Sequence, residues 1–224
     1  EELPLESEAE SAHPVESAVE TPLPIESEAE EVAPAPPPPE TSKQKKIIIG
    51  AVALLLVFTI FLLRLNDVVG LAMDDAWYVL LAQALATGQG YSLINSPTPG
   101  ILPLYPPGFP ALLSLFYRLS PHFPENLWLL KSVSIAAMLG AGAVSYYYFT
   151  RLRNCPRYVA LLLGAGVSLC APLVFLATSS LMSECVFTFS LILAVTLIEK
   201  SVQERSAGKF LIFGAVVASF AFLT

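Results

Sequence analysis

Five long apolar runs, at residues 47–63, 127–149, 158–178, 181–198 and 210–224, constrain this chain more than any other feature. A helix needs roughly 17–25 mostly apolar residues to cross a bilayer core. Within that core each backbone N–H and C=O must be bonded inside its own segment, so such runs fold as helices. The expected fold is therefore an all-α membrane protein, a polytopic helical bundle occupying residues 47–224. The run at 47–63 lies too far from residue 1 to be a secretory leader, and no small-residue cleavage pattern follows it. Residue 1 is Glu rather than Met, and the last run is still apolar near Thr224. The chain is thus expected to be the N-terminal part of a longer protein.

Residues 1–46 read differently. The stretch 1–42 holds 12 of the 19 acidic residues and no Lys or Arg. The remainder carries 12 basic and seven acidic residues, a net charge of +5, so the overall −7 describes the tail alone. It gives no ground for a nucleic-acid partner. A ten-residue repeat runs through Pro4-Leu5-Glu6-Ser7, Pro14-Val15-Glu16-Ser17 and Pro24-Ile25-Glu26-Ser27. Proline in every repeat breaks helix and sheet ladders, and too few apolar groups exist to offset the entropy of ordering. A disordered acidic arm with a basic juxtamembrane end is expected. It serves as a spacer or as a docking arm for a basic partner.

Basic residues then set direction. Lys43, Lys45 and Lys46 put the N-terminus in the cytoplasm by the positive-inside rule. A sixth, shorter run at 105–119 opens with Pro106, Pro107 and Pro110. If it does not cross, nine basic residues lie inside and three (Arg64, Arg118, Lys131) outside; if it crosses, the balance inverts to five and seven. The first arrangement is adopted. It makes residues 64–126 a long outer loop with surface helices at 74–87 and 107–119. Asp67, Asp74, Asp75, Glu125 and Glu184 then share the outer side.

The loop's most informative stretch begins Asp74-Asp75-Ala76-Trp77-Tyr78. Trp77, Leu81, Ala84 and Leu85 recur on one helical face. Asp74 suits an N-cap and Gly88 the position after the helix. The helix is expected along the membrane surface, with Trp77 and Tyr78 at headgroup depth. Asp74 can be simply a cap, but two adjacent carboxylates exceed what a cap requires. An ionised carboxylate at the bilayer surface can take a proton from a hydroxyl nucleophile, or hold a divalent cation through Asp74 and Asp75. Arg64, Arg118 and Lys131 read as snorkelling anchors at helix ends, or as contacts for a phosphate.

Asp74-Asp75-Ala76-Trp77-Tyr78, then Ala82 to Ala86 with Gly88-Gln89-Gly90-Tyr91, then Tyr105-Pro106-Pro107-Gly108-Phe109-Pro110 together resemble the first outer loop of GT-C-type membrane glycosyltransferases. The nearest group contains protein O-mannosyltransferases, lipid A aminoarabinose transferases and related bacterial family-39 enzymes, and the resemblance covers residues 47–224. It implies an inverting enzyme of the bacterial plasma membrane that takes a sugar from a polyprenyl-phosphate carrier. The sugar passes to a lipid, glycan or protein acceptor on the non-cytoplasmic side. By motif position Asp74 would be the general base, with Asp75 beside it. Glu184 matches a second acidic position, and Tyr78, Tyr105, Arg64, Arg118 and Lys131 are candidates for substrate contact. Leu104 and Tyr105 stand where the aminoarabinose transferases carry an acidic–basic pair, which argues against that substrate.

Two other classes compete. A transporter or channel would place ionisable residues near mid-span, where these runs are almost free of charge. A non-enzymatic scaffold would explain the tail but not the paired carboxylates. Cys155, Cys170 and Cys185 have no metal-binding spacing and read as structural thiols, and His122 as a surface residue. Gly140 and Gly142 suit close helix packing.

Overall fold

Apolar, β-branched-rich runs bounded by Pro, Gly and charged residues give helices throughout. The computed structural model describes residues 40–97, 104–204 and 207–224, and among these every regular element is helical. Helix α1 spans Glu40–Arg64, α2 Asp74–Ala86, α3 Gly108–Leu119 and α4 Leu127–Tyr147, whose last turn widens into a π-turn at Tyr148–Leu152. Then follow α5 (Arg157–Ser168), α6 (Ala171–Ser179), α7 (Glu184–Glu204) and α8 (Ala207–Phe222).

Three helical stretches are long and apolar enough to cross a membrane: Ile47–Arg64, Leu127–Leu152 and Glu184–Glu204. The chain is on this ground a membrane protein. Only 11% of the Ile47–Arg64 window is buried within the protein, so α1 offers most of its apolar surface outward, as a lipid-facing helix must.

Several expected boundaries change. The tail expected over 1–46 ends earlier, because residues 40–46 already form the first turns of α1; the rest of that expectation, residues 1–39, falls outside the described residues. The span expected at 158–178 is two helices, α5 and α6, bent by 47°. Pro172, in the first turn of α6, has no N–H to bond back into α5, and Cys170 before it is extended (φ −56°, ψ 113°). The span expected at 181–198 starts at Glu184 and runs on to Glu204. The last run is a shorter apolar helix, Gly208–Phe222, and among the described residues three helices are of spanning length, or four spans with the bent pair as one.

Two groups of contacts mark opposite ends of α4 and α7. At one, Asn66 N–H donates to Thr178 C=O (3.4 Å) and Asn66 Nδ2 to Ser179 Oγ (2.8 Å). At the other, Tyr148 Oη donates to Glu199 (2.7 Å) and Gln203 Nε2 reaches Leu152 C=O (3.5 Å). The core lies toward the first end, where Phe61, Phe109, Leu113, Leu127, Leu130 and Leu181 are fully or almost fully buried. There α2 and α3 pack as a pair: Tyr78 meets the Phe109 ring edge-on at 5.1 Å. Gly108 opens α3 by donating its N–H to Leu223 C=O at 2.7 Å, and a Cβ at this position would meet that oxygen at 2.6 Å.

Elsewhere small residues permit close crossing. A Cβ on Gly142 of α4 would lie 2.0 Å from Ser168 Oγ and 2.8 Å from Gly164 C=O of α5. Gly140 is similarly closed off by the Phe189 ring of α7.

Candidate functional site

The site grows from the first turn of α2. Asp74 does not cap it as expected: Met73 holds the N-cap position without a side-chain bond, at φ 59°, and Asp74 is already helical. A non-glycine residue in that region stores roughly 1–3 kcal/mol of strain, and such strain gathers at functional segments. Both carboxylates sit in the first turn, where the helix dipole favours negative charge. At the other end the chain leaves as expected, through Gly88 at φ 77°.

Adjacent helical residues point about 100° apart, and the two aspartates part accordingly. Asp75 is fully buried. Its carboxylate accepts from Gly70 N–H (2.9 Å), Ala76 N–H (2.9 Å) and Ser180 Oγ (3.1 Å). It ties the approach to α2 onto the turn between α6 and α7. Asp74 is half-buried and accepts a 2.8 Å hydrogen bond from Tyr105 Oη. The expectation of a cation shared by Asp74 and Asp75 therefore meets carboxylates committed to different partners. Among the described residues no cluster of three or more His, Cys, Asp or Glu is placed to hold a metal ion.

Two tyrosines extend the group from Asp74 toward the first turn of α7. The Tyr78 and Tyr105 rings lie 5.3 Å apart, edge to face. Tyr105's phenol is raised above its ordinary pKa, first by its bond to Asp74. Tyr78 is raised chiefly by burial, and the negative charges of both Glu184 and Asp74 add to the effect. Both carboxylates therefore lie within electrostatic reach of the Tyr78 hydroxyl, which is also 3.4 Å from Ser183 Oγ. Tyr91 donates to the Tyr105 carbonyl, and burial pushes its phenol up to about 12.

Glu184 is the first residue of α7, and one of its carboxylate oxygens is enclosed with no hydrogen-bond donor. Buried acceptors are almost always satisfied, and this oxygen is one of three buried side-chain N or O atoms among the described residues that have no partner.

The basic residues fare differently. Lys131 is neither a snorkelling anchor nor an open phosphate contact. It is fully buried, and its ammonium lies 2.7 Å from both Asn66 C=O and Val68 C=O, 3.0 Å from Thr178 C=O and 3.3 Å from Asn66 Oδ1. Those acceptors exhaust its three N–H groups. Arg118 is exposed and donates to Leu85 C=O (3.2 Å), bracing α3 against the end of α2. Arg64 is exposed at the end of α1. Neither arginine is drawn into the Asp74–Glu184 group by any contact.

Of the expected stripe on α2, Leu81 and Ala84 are fully buried while Trp77 and Leu85 are half-buried, and the inward face also takes in Asp75, Tyr78, Val79 and Ala82, so Tyr78 packs into the protein rather than standing on the surface. Sequence reading missed Asn66, Ser180 and Ser183. Their only signal was polarity beside the ends of apolar runs.

No protein-family model, curated protein or solved structure matches the chain.

Proposed function

We propose that the chain is part of a membrane glycosyltransferase that takes a sugar from a polyprenyl-phosphate carrier at the end of the helices bearing Asp74 and Glu184. The observation that carries this reading is the pair of carboxylates whose charges both act on Tyr78, Asp74 held by the Tyr105 phenol and Glu184 with an enclosed oxygen that no donor bonds. Asp74 takes the proton of the acceptor hydroxyl as that oxygen attacks the anomeric carbon. The bond from that carbon to the phosphate oxygen breaks, and the lipid phosphate leaves with the electron pair. Glu184 accepts a hydrogen bond from a hydroxyl of the sugar or acceptor, and Tyr105 fixes the Asp74 carboxylate. Arg64 and Arg118 are the cations left to meet the departing phosphate, since Lys131 is occupied. Positive charge grows at the anomeric carbon in such a transfer, so fixed carboxylates near it stabilise the transition state.

In this reading the site faces the non-cytoplasmic side of a bacterial plasma membrane. Lys43, Lys45 and Lys46 hold the N-terminus in the cytoplasm. The ionisable groups also gather at helix ends rather than at mid-span, which favours surface chemistry over a translocation path.

Transfer assayed with purified lipid-linked sugar tests the roles. Asp74→Asn should lower the rate by about 10²–10⁴-fold while the protein still inserts, as expected for loss of a general base. Glu184→Gln should raise KM more than it lowers kcat. Normal turnover by Asp74→Asn would remove its assignment. Impermeant thiol labelling at position 74 checks sidedness: a residue reached only from the cytoplasm contradicts the proposal.

A further inference from the structure

The opposite end of the helices carries a second feature that the transfer reading does not use. A polar pocket of about 370 Å³ is lined by Arg151, Arg157, Asn154, Thr150 and Tyr146, among others. An apolar groove of about 630 Å³ adjoins it between α1, α4 and α5 and shares Tyr146 and Arg157 with it. The groove follows α1 from Ile47 to Val57, about 15 Å of helix. Its geometry has a local cause. Gly142 and Gly164 let α4 and α5 meet backbone to backbone, while α1 makes its main contacts with α4 and α6, leaving a cleft beside α5.

The charges at the mouth are open. Arg153 is engaged by Glu199 (3.3 Å) and Tyr148 (2.9 Å), and Lys200 by Glu204 (3.9 Å). Among the described residues Arg151 and Arg157 have no acceptor or ion-pair partner for their side chains, and both are exposed. No Asp or Glu lines the pocket or the groove. Two unpaired guanidiniums over a hydrocarbon-lined cleft match one chemistry: an anionic headgroup on an acyl chain. Guanidinium pairs favour phosphate oxygens in a planar fork.

We propose that this cleft binds one anionic glycerophospholipid from the surrounding leaflet, its phosphate between Arg151 and Arg157 and one acyl chain along the groove past Gly50, Leu54 and Leu161. The site is separate from Asp74 and Glu184, and its occupancy stands or falls independently of sugar transfer.

Native mass spectrometry of the 224-residue chain in mild detergent tests it, with phosphatidylglycerol as the anionic probe and phosphatidylcholine of matched chains as the zwitterionic one. One phosphatidylglycerol should be retained in preference to phosphatidylcholine. Replacing each arginine, in Arg151→Ala and Arg157→Ala, should weaken phosphatidylglycerol by about five-fold. Lys209→Ala removes the same charge from α8, outside the pocket, and should leave the preference intact. Gly50→Phe places a ring on the groove wall, where nothing lies within 4 Å of a Cβ. It should weaken both lipids alike. Circular dichroism confirms that each variant stays helical.

Equal loss in Lys209→Ala would reduce the effect to bulk charge and overturn the site. So would binding of inorganic phosphate that displaces no lipid. A lipid-free dimer broken by Gly50→Phe would show instead that a second copy covers the groove, and would also overturn the proposal.

Discussion

The two ends of the helices handle charge in opposite ways. At the end bearing α2, two charged groups are fully buried and each is held by several neutral partners: Lys131 by carbonyl oxygens, Asp75 by N–H groups and a serine hydroxyl. At the other end the charges meet each other in half-exposed pairs, as in Arg153–Glu199 and Lys200–Glu204, with Lys200 also 4.3 Å above the Phe210 ring. A buried charge fixed by oriented dipoles loses much if one partner goes, because desolvation is already complete. An exposed pair contributes little and is screened by salt. The first end is therefore the stiffer of the two, and the second the more adaptable.

The sharpest attack on this contrast is Lys131→Met. It strands the carbonyls of Asn66, Val68 and Thr178 and should cost about 3 kcal/mol or more in unfolding free energy measured in detergent. A loss under about 1 kcal/mol would abolish the distinction between the ends. Next in size is Asp75→Ala, at about 2 kcal/mol, with Ser180→Ala at about 1 kcal/mol. The double variant should fall short of the sum, since the two share one hydrogen bond.

Alkali gives a smaller effect. Burial makes Tyr91 hold its proton up to about 12 when folded, against the ordinary 10.0 of a tyrosine. A raised acid pKa means the folded state binds the proton more tightly. Its contribution is complete below pH 10.0 and disappears as pH climbs through about 12. Tyrosinate absorbance should show a late-ionising phase that Tyr91→Phe removes; an unchanged titration would contradict the burial of that phenol. Smallest of all is Glu199→Gln at the far end, where the partner Arg153 is exposed. Its effect on the melting temperature should vanish in roughly 0.5 M salt, beyond the range of exposed charge pairs.

Helix identity was legible wherever one period dominated. The boundaries of α2 and α3 follow from the apolar spacing after Asp74 and from the prolines ahead of Phe109, and they agree to within a residue with 74–87 and 107–119. The bend between α5 and α6 was visible in Pro172, but hydropathy averaged across it. Lys131 was misread for a deeper reason. Its place as the fifth residue of α4 looked like an interfacial position, whereas its surroundings are carbonyls from the ends of α1 and α6, about 50 to 65 residues away in sequence. No local pattern encodes that convergence. The divergence of Asp74 and Asp75 follows from helix geometry, yet which one turns inward depends on Gly70 and Ser180, again through tertiary contact.

The joint at Gly108 has a mechanical meaning. Its amide is bonded straight to the Leu223 carbonyl with no side chain interposed, so α3 and the end of α8 are clamped backbone to backbone. Three residues upstream stands Tyr105, whose phenol grips Asp74. Only three residues of chain therefore separate the α8 contact from the phenol that holds Asp74, so the end of the last apolar helix and the first turn of α2 are joined through one short segment.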